Sequence, residues 1–133
     1  MEIQNVYPGV AKIVADVLAI DEADVALKKR LIADLGAESI DFLDLIFQLE
    51  REFKVKIPRG QIEKEARGSL SDAEFEQGGV ITEKGIGVLK SYLSEVPDDH
   101  FKQNLKVSEI PTLFTVETLC KLVGKAKIQQ QPA

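Results

Sequence analysis

The stretch DLGAESIDFLDLIFQLEREF, residues 34–53, sets one hydroxyl, Ser39, between Glu38 and Ile40 at the head of an apolar run. Nucleophilic catalysis from such a serine needs a base within hydrogen-bond reach and a third group to orient that base. The chain has a single histidine, His100, in the polar loop sequence PDDHF, and no motif joins it to Ser39. The one cysteine, Cys120, rules out an internal disulfide, and with a single histidine it leaves no Cys/His cluster for zinc. Cys120 also falls on an apolar helical stripe, where cysteine serves as small buried filler. Gly85-Ile86-Gly87 is half of a dinucleotide fingerprint, with no strand before it and no third glycine, and is set aside as a nucleotide site. Hydrolytic, metal and nucleotide chemistry therefore have no residues to carry them. What remains is a hydroxyl at the start of a helix that is more apolar than one buried face requires.

That helix reads as residues 40–54, with Ser39 as its N-cap and Ile57-Pro58 as its stop. It carries two stripes at helical spacing. Phe42, Leu45, Ile46, Leu49 and Phe53 form one, and Ile40, Leu43 and Phe47 form the other. Burying one Leu or Phe side chain is worth roughly 1.5–3 kcal/mol, so the first stripe alone can anchor the helix. The second is surplus, and Glu38, Asp41, Asp44 and Glu50 surround it. An apolar strip edged by acids and headed by a serine is a docking face for basic partners.

Three further elements must hold this helix. Val10, Ile13, Val14, Val17 and Leu18 predict a first helix over about 8–19, with Pro8 at its first position. Residues 21–39 read as a packed loop with a short helical turn. After Pro111, Thr115 caps a last helix whose inner stripe is Val116, Leu119, Cys120 and Val123, and the tail from 126 to 133 is expected to fray. Between these lies an insertion, 67–111, in which Ser71 with Glu74 makes a capping box, Gly78-Gly79 breaks the chain, and Thr82 caps a helix with the stripe Ile86, Leu89 and Leu93. No strand pair is evident. The insertion is too apolar for a free linker.

The whole chain, 133 residues with 44% hydrophobic and 29% charged, has the size and composition of one globular domain. Residues 21–50 hold eight acids against three bases, an excess as large as the net charge of the whole chain, −5. That balance argues against nucleic-acid binding. No run approaches the roughly 18 apolar residues of a membrane span, and the N-terminus lacks the layout of a secretory signal, so the expectation is a cytoplasmic protein; it is also expected to be a monomer.

LGAES-Ile-Asp, an apolar helix and then EREFKVKIP together resemble the acyl carrier protein family, whose hallmark is Asp-Ser-Leu at the start of the second helix. Here the triplet is Glu38-Ser39-Ile40, which keeps the acid, the hydroxyl and a branched apolar side chain. The resemblance covers residues 6–66 and resumes at about 112–124, and specialised bacterial carriers for unusual lipids also have insertions between these parts. It implies an all-α, four-helix carrier bundle with an inserted helical lobe, in a single domain over 1–133. It implies a non-catalytic carrier that holds acyl intermediates as thioesters on a 4'-phosphopantetheine arm attached to Ser39, for fatty acid, specialised lipid or polyketide biosynthesis. The implied partners are a phosphopantetheinyl transferase and acyl-loading, acyl-transferring or condensing enzymes, which the family recognises through the positions of Glu38, Ile40, Asp41, Leu43, Asp44, Phe47 and Glu50. Arg51 departs from the family, which often has another acid there. The physical chemistry of the site agrees with a covalent arm. A helix N-terminus attracts a phosphodiester, but by only about 0.3–1 kcal/mol, enough to orient a phosphate and too little to retain one. The rival reading is a helical adaptor that uses the same strip without a prosthetic group, and modification of Ser39 separates the two.

Overall fold

The computed structural model describes residues 3–57 and 64–130, and of Ile3, Gln4, Ser39, Gln129 and Gln130 the backbone alone. Its elements in chain order are α1 (Ile3–Leu18), α2 (Ser39–Phe53), α3 (Asp72–Phe75), β1 (Glu76–Gln77), β2 (Val80–Ile81), α4 (Glu83–Tyr92) and α5 (Val116–Gln130). Short 3₁₀ turns occupy Glu22–Asp24, Asp98–His100 and Val107–Leu113, and residues 64–67 are also helical. This is the all-α carrier fold, with one two-residue hairpin added. The chain divides into two compact units, Met1–Ile57 with Phe114–Ala133, and Pro58–Leu113.

In the first unit α1, α2 and α5 pack on one another. Val6, Val10 and Val14 recur at every fourth residue of α1 and are all fully buried. The helix therefore begins a turn and a half earlier than expected, and Pro8 lies inside it rather than at its first position. Two ties hold the extra turns. Val6 is buried, and the Tyr7 hydroxyl donates to the Val25 carbonyl at 2.6 Å. A buried valine is worth roughly 1.5–3 kcal/mol and a hydrogen bond about 1 kcal/mol, which together match the roughly 3 kcal/mol a proline costs within a helix. At Gly9 a Cβ would stand 2.8 Å from Phe53 Cζ, so the missing side chain lets α1 and α2 approach closely.

The long loop between α1 and α2 is packed, as its apolar residues imply, with Val25 and Leu31 fully buried. It also completes α5. The Val116 and Glu117 amides, which have no acceptor within their own helix, donate to the carbonyls of Lys29 and Leu27, each at 3.0 Å. Thr115 caps α5 as the sequence predicts. Its hydroxyl accepts from the Thr118 amide at 3.2 Å, and Thr118 Oγ1 accepts from the Thr115 amide at 3.1 Å. Val116, Leu119, Cys120 and Val123 are fully buried, the predicted stripe. The helix continues through Gln130 where fraying from 126 was expected, because Ala126 is buried and extends the stripe; residues 131–133 lie outside the described part.

The second unit buries Phe75, Ile81, Leu89, Leu93, Val96 and Leu105. Ser71 caps α3, its hydroxyl accepting from the Glu74 amide at 3.2 Å while Glu74 accepts from the Ser71 amide at 3.0 Å. The Ser71 amide holds the Glu74 carboxyl below the ordinary carboxylate range. Gly78-Gly79 does more than break the chain. Both residues have positive φ, 60° and 84°, and close a two-residue hairpin that pairs Glu76 with Ile81 and Gln77 with Val80. The expectation of no strand pair is thus corrected. Residues 105–107 add to this hairpin, with the Ile81 amide donating to Leu105 O at 2.8 Å and the Val107 amide to Gly79 O at 2.9 Å. Thr82 caps α4, accepting from the Gly85 amide at 3.0 Å. The buried stripe of α4 is Gly85 and Leu89, continued by Leu93 just past its end, not one that begins at Ile86, which is half-exposed.

Candidate functional site

The start of α2 is set by the turn that precedes it. The Arg30 amide donates to Asp34 Oδ2 at 2.8 Å, which holds the Asp34 carboxyl below its usual range. Gly36 follows at φ 78°, a left-handed conformation that costs side-chain-bearing residues roughly 1–2 kcal/mol. Ala37, buried, then donates its amide to Leu31 O at 2.9 Å. The chain reaches Glu38 in an extended conformation, φ −104° and ψ 165°, and the helix begins at the next residue. Glu38 is therefore the N-cap and Ser39 the first helical residue, a one-residue correction. The decisive contact is made by Asp41, whose Oδ2 accepts the Glu38 amide at 2.8 Å while the Asp41 amide donates to Glu38 O at 2.9 Å. This is a capping box shifted by one residue from the serine. Of Ser39 the structure describes the backbone; its side chain, on which the hydroxyl reading falls, lies outside the described part.

The two stripes of α2 separate. Leu45 and Leu49 are fully buried, and Phe42 meets Phe114 edge-on at 6.0 Å. Ile40, Leu43 and Phe47 are 70%, 52% and 66% exposed. Such exposure of three large apolar groups on one helix face has no packing function. Glu38 and Asp44 are exposed beside them, whereas Asp41 and Glu50 are half-buried. Asp44 accepts from Gln48 Nε2 at 3.3 Å. Glu50 has a structural duty at the other end of α2, where its Oε2 accepts from the Ile57 amide at 2.6 Å and its carbonyl accepts from the Lys54 amide. Lys54 itself is left-handed, φ 56° and ψ 48°, so the helix stops there; Pro58 of the expected stop lies outside the described residues. Among the described residues, Ile13, Asp44, Phe47, Gln48, Arg51 and Glu52 line an open groove. The first unit has no histidine, and no cluster of three or more His, Cys, Asp or Glu able to hold a metal occurs among the described residues.

A family model described as the phosphopantetheine attachment site matches residues 8–72. Acyl carrier protein AcpXL of Rhizobium meliloti is 36% identical over 76 residues, 56% of this chain and 80% of the relative. The acyl carrier protein of Thermotoga maritima is 38% identical over 61 residues, 46% of this chain and 75% of the relative, and that of Campylobacter lari 39% over 59 residues, 44% and 77%. The chain belongs to the acyl carrier protein family.

As an acyl carrier protein it is a carrier rather than a catalyst, and its prosthetic group is covalent 4'-phosphopantetheine. The group supplies a thiol, on which acyl chains are held as thioesters. The protein has no substitute for that thiol, because Cys120 is fully buried and burial pushes its sulfhydryl up to about 12, with Glu117 adding to the effect. The head of α2 fits an attached arm. Its N-cap Glu38 and second residue Ile40 are exposed, and its N-terminal dipole favours a phosphodiester. The family acts with a phosphopantetheinyl transferase and with biosynthetic enzymes. No described helix is long and apolar enough to cross a membrane. The sequence missed Asp41 as the residue that locks the helix start, although its three-residue spacing from Glu38 was a legible signal.

Proposed function

We propose that Ser39 bears the phosphopantetheine arm and that Ile40, Leu43 and Phe47, with Glu38, Asp44 and the flanking Asp41 and Glu50, form the surface that partner enzymes grip during fatty acid, specialised lipid or polyketide biosynthesis. In the attachment step the Ser39 hydroxyl gives up its proton and forms the phosphodiester bond, and the adenosine bisphosphate half of coenzyme A leaves. The carrier then presents its cargo as a monomer to acyl-loading and to acyl-transferring or condensing enzymes. The single observation that carries this reading is the juxtaposition at α2. A helix headed by Ser39 exposes an apolar strip, edged by acids, that the core does not use. A partner with a basic rim and an apolar pocket matches it in both charge and chemistry.

The charged part of the surface has its own test. Asp44 is exposed and holds no backbone amide among the described residues, so reversing it alters the field without disturbing the cap. Asp44→Lys is expected to slow pantetheine transfer about tenfold at low ionic strength, with the difference fading as the screening length falls toward about 3 Å in molar salt. Initial rates across a salt series measure this, and equal rates for wild type and variant in low salt would remove Asp44 from the docking surface.

A further inference from the structure

The acids around the strip look alike in sequence but are bonded differently. Asp44 is exposed, and among the described residues its carboxylate accepts from the Gln48 side chain alone, at 3.3 Å. Asp41 is half-buried, and its Oδ2 accepts the Glu38 amide at 2.8 Å, one residue before Ser39. Upstream, the Ala37 amide is fixed on Leu31 O at 2.9 Å, and both of those residues are buried. Glu38 is thus clamped from the core on one side and by Asp41 on the other, and the backbone of Ser39 follows from these two bonds. The first amides of a helix have no carbonyl one turn back, so without an outside acceptor the first turn frays. Here the first turn is the one that contains Ser39.

We infer that Asp41 is a positioning residue for modification at Ser39: in the attachment step it acts by accepting the Glu38 amide and so holding Ser39 in the helix, rather than through its charge. This rests on the reading that Ser39 is the attachment residue, and it sets Asp41, which fixes geometry, apart from Asp44, which steers. A transferase must bring the attacking oxygen to within bonding distance and in line with a phosphorus atom, and such steps lose rate steeply when the nucleophile is misplaced. Fraying of the first turn lowers the fraction of carrier in which Ser39 is correctly presented. The apparent turnover falls by that fraction, while encounter is unaffected.

The two roles separate by substitution. Asparagine keeps an acceptor oxygen at nearly the same place and removes the charge, whereas alanine removes both. With a phosphopantetheinyl transferase and coenzyme A, Asp41→Asn is expected to modify within about threefold of wild type, and Asp41→Ala about tenfold more slowly in kcat, the same in low and high salt. Asp44→Asn should show the opposite signature, a raised KM that salt erases. Amide hydrogen exchange gives an enzyme-free reading. The Glu38 amide should exchange alike in wild type and Asp41→Asn, and about tenfold faster in Asp41→Ala. The inference is overturned if Asp41→Asn is as slow as Asp41→Ala and salt removes the deficit of both, or if Glu38 exchange is unmoved in Asp41→Ala. Failure of the underlying reading looks different, since the wild type itself would then take no pantetheine at Ser39, and the inference would fall with it.

Discussion

Leu49→Ala is expected to destabilise the first unit by about 2–5 kcal/mol, while Phe47→Ala, two residues away on the same helix, changes stability by less than about 0.5 kcal/mol. Leu49 is fully buried with Leu45, so truncation removes transfer energy and leaves a cavity in the packing of α1, α2 and α5. Phe47 is 66% exposed, and its truncation exposes little that was hidden. The order reverses for function. Phe47→Ala, and more so the double variant with Leu43→Ala, should raise KM for partner enzymes, because large apolar side chains at the centre of an interface carry most of its energy. Urea titration of both variants, with transferase kinetics on the stable one, tests the division. A Phe47→Ala loss of stability comparable to that of Leu49→Ala would show that the second stripe is core.

Gly85→Ala and Gly87→Ala should move stability in opposite directions. A Cβ on Gly85 would stand 2.4 Å from the Phe75 carbonyl oxygen and 2.7 Å from Ile81 Cγ2. That carbonyl cannot yield easily, since it accepts from the Thr82 amide at 2.9 Å and from Thr82 Oγ1 at 3.2 Å. Forcing a methyl into such a place costs about 1–3 kcal/mol, which outweighs the roughly 1 kcal/mol that alanine gains over glycine within a helix. At Gly87 nothing lies within 4 Å, and only the helical gain remains. Thermal unfolding of the full chain should therefore show a lower midpoint for Gly85→Ala and a higher one for Gly87→Ala. A raised midpoint for both would mean that α4 does not press on Phe75, and the two glycines would lose their separate meanings.

The legible parts of the sequence were those governed by apolar spacing over several turns. The double stripe of α2, the inner stripe of α5 and its threonine cap are all present, since each rests on a repeated pattern or on a side-chain oxygen at a fixed offset. Errors arose where a strong single-residue preference met a weaker neighbour in a better position. Serine is a preferred N-cap, which favours Ser39 as the cap, yet the Glu38 and Asp41 pair, spaced by three, completes a box that places Ser39 inside the helix. Proline favours the first helical position, which points to Pro8 as the start, yet Val6 repeats the spacing of Val10 and Val14 and extends α1 past it. The hairpin at Gly78-Gly79 was missed because two residues on each side are too few to show alternation, though paired glycines are a recognised turn signal. Gly85 could not be read as a packing residue at all, because a close approach of backbone to backbone leaves no trace in hydropathy.

The most direct test of the attachment site is the intact mass of the carrier after incubation with coenzyme A and a phosphopantetheinyl transferase of broad specificity. Wild type is expected to gain one phosphopantetheine. Ser39→Ala should gain none while keeping its fold, since Ser39 occupies the first helical position and the cap bond to the Glu38 amide belongs to Asp41. A wild type that stays unmodified, or a Ser39→Ala variant that is modified to the same extent at Ser69, Ser71, Ser91, Ser94 or Ser108, would contradict the assignment of the arm to Ser39.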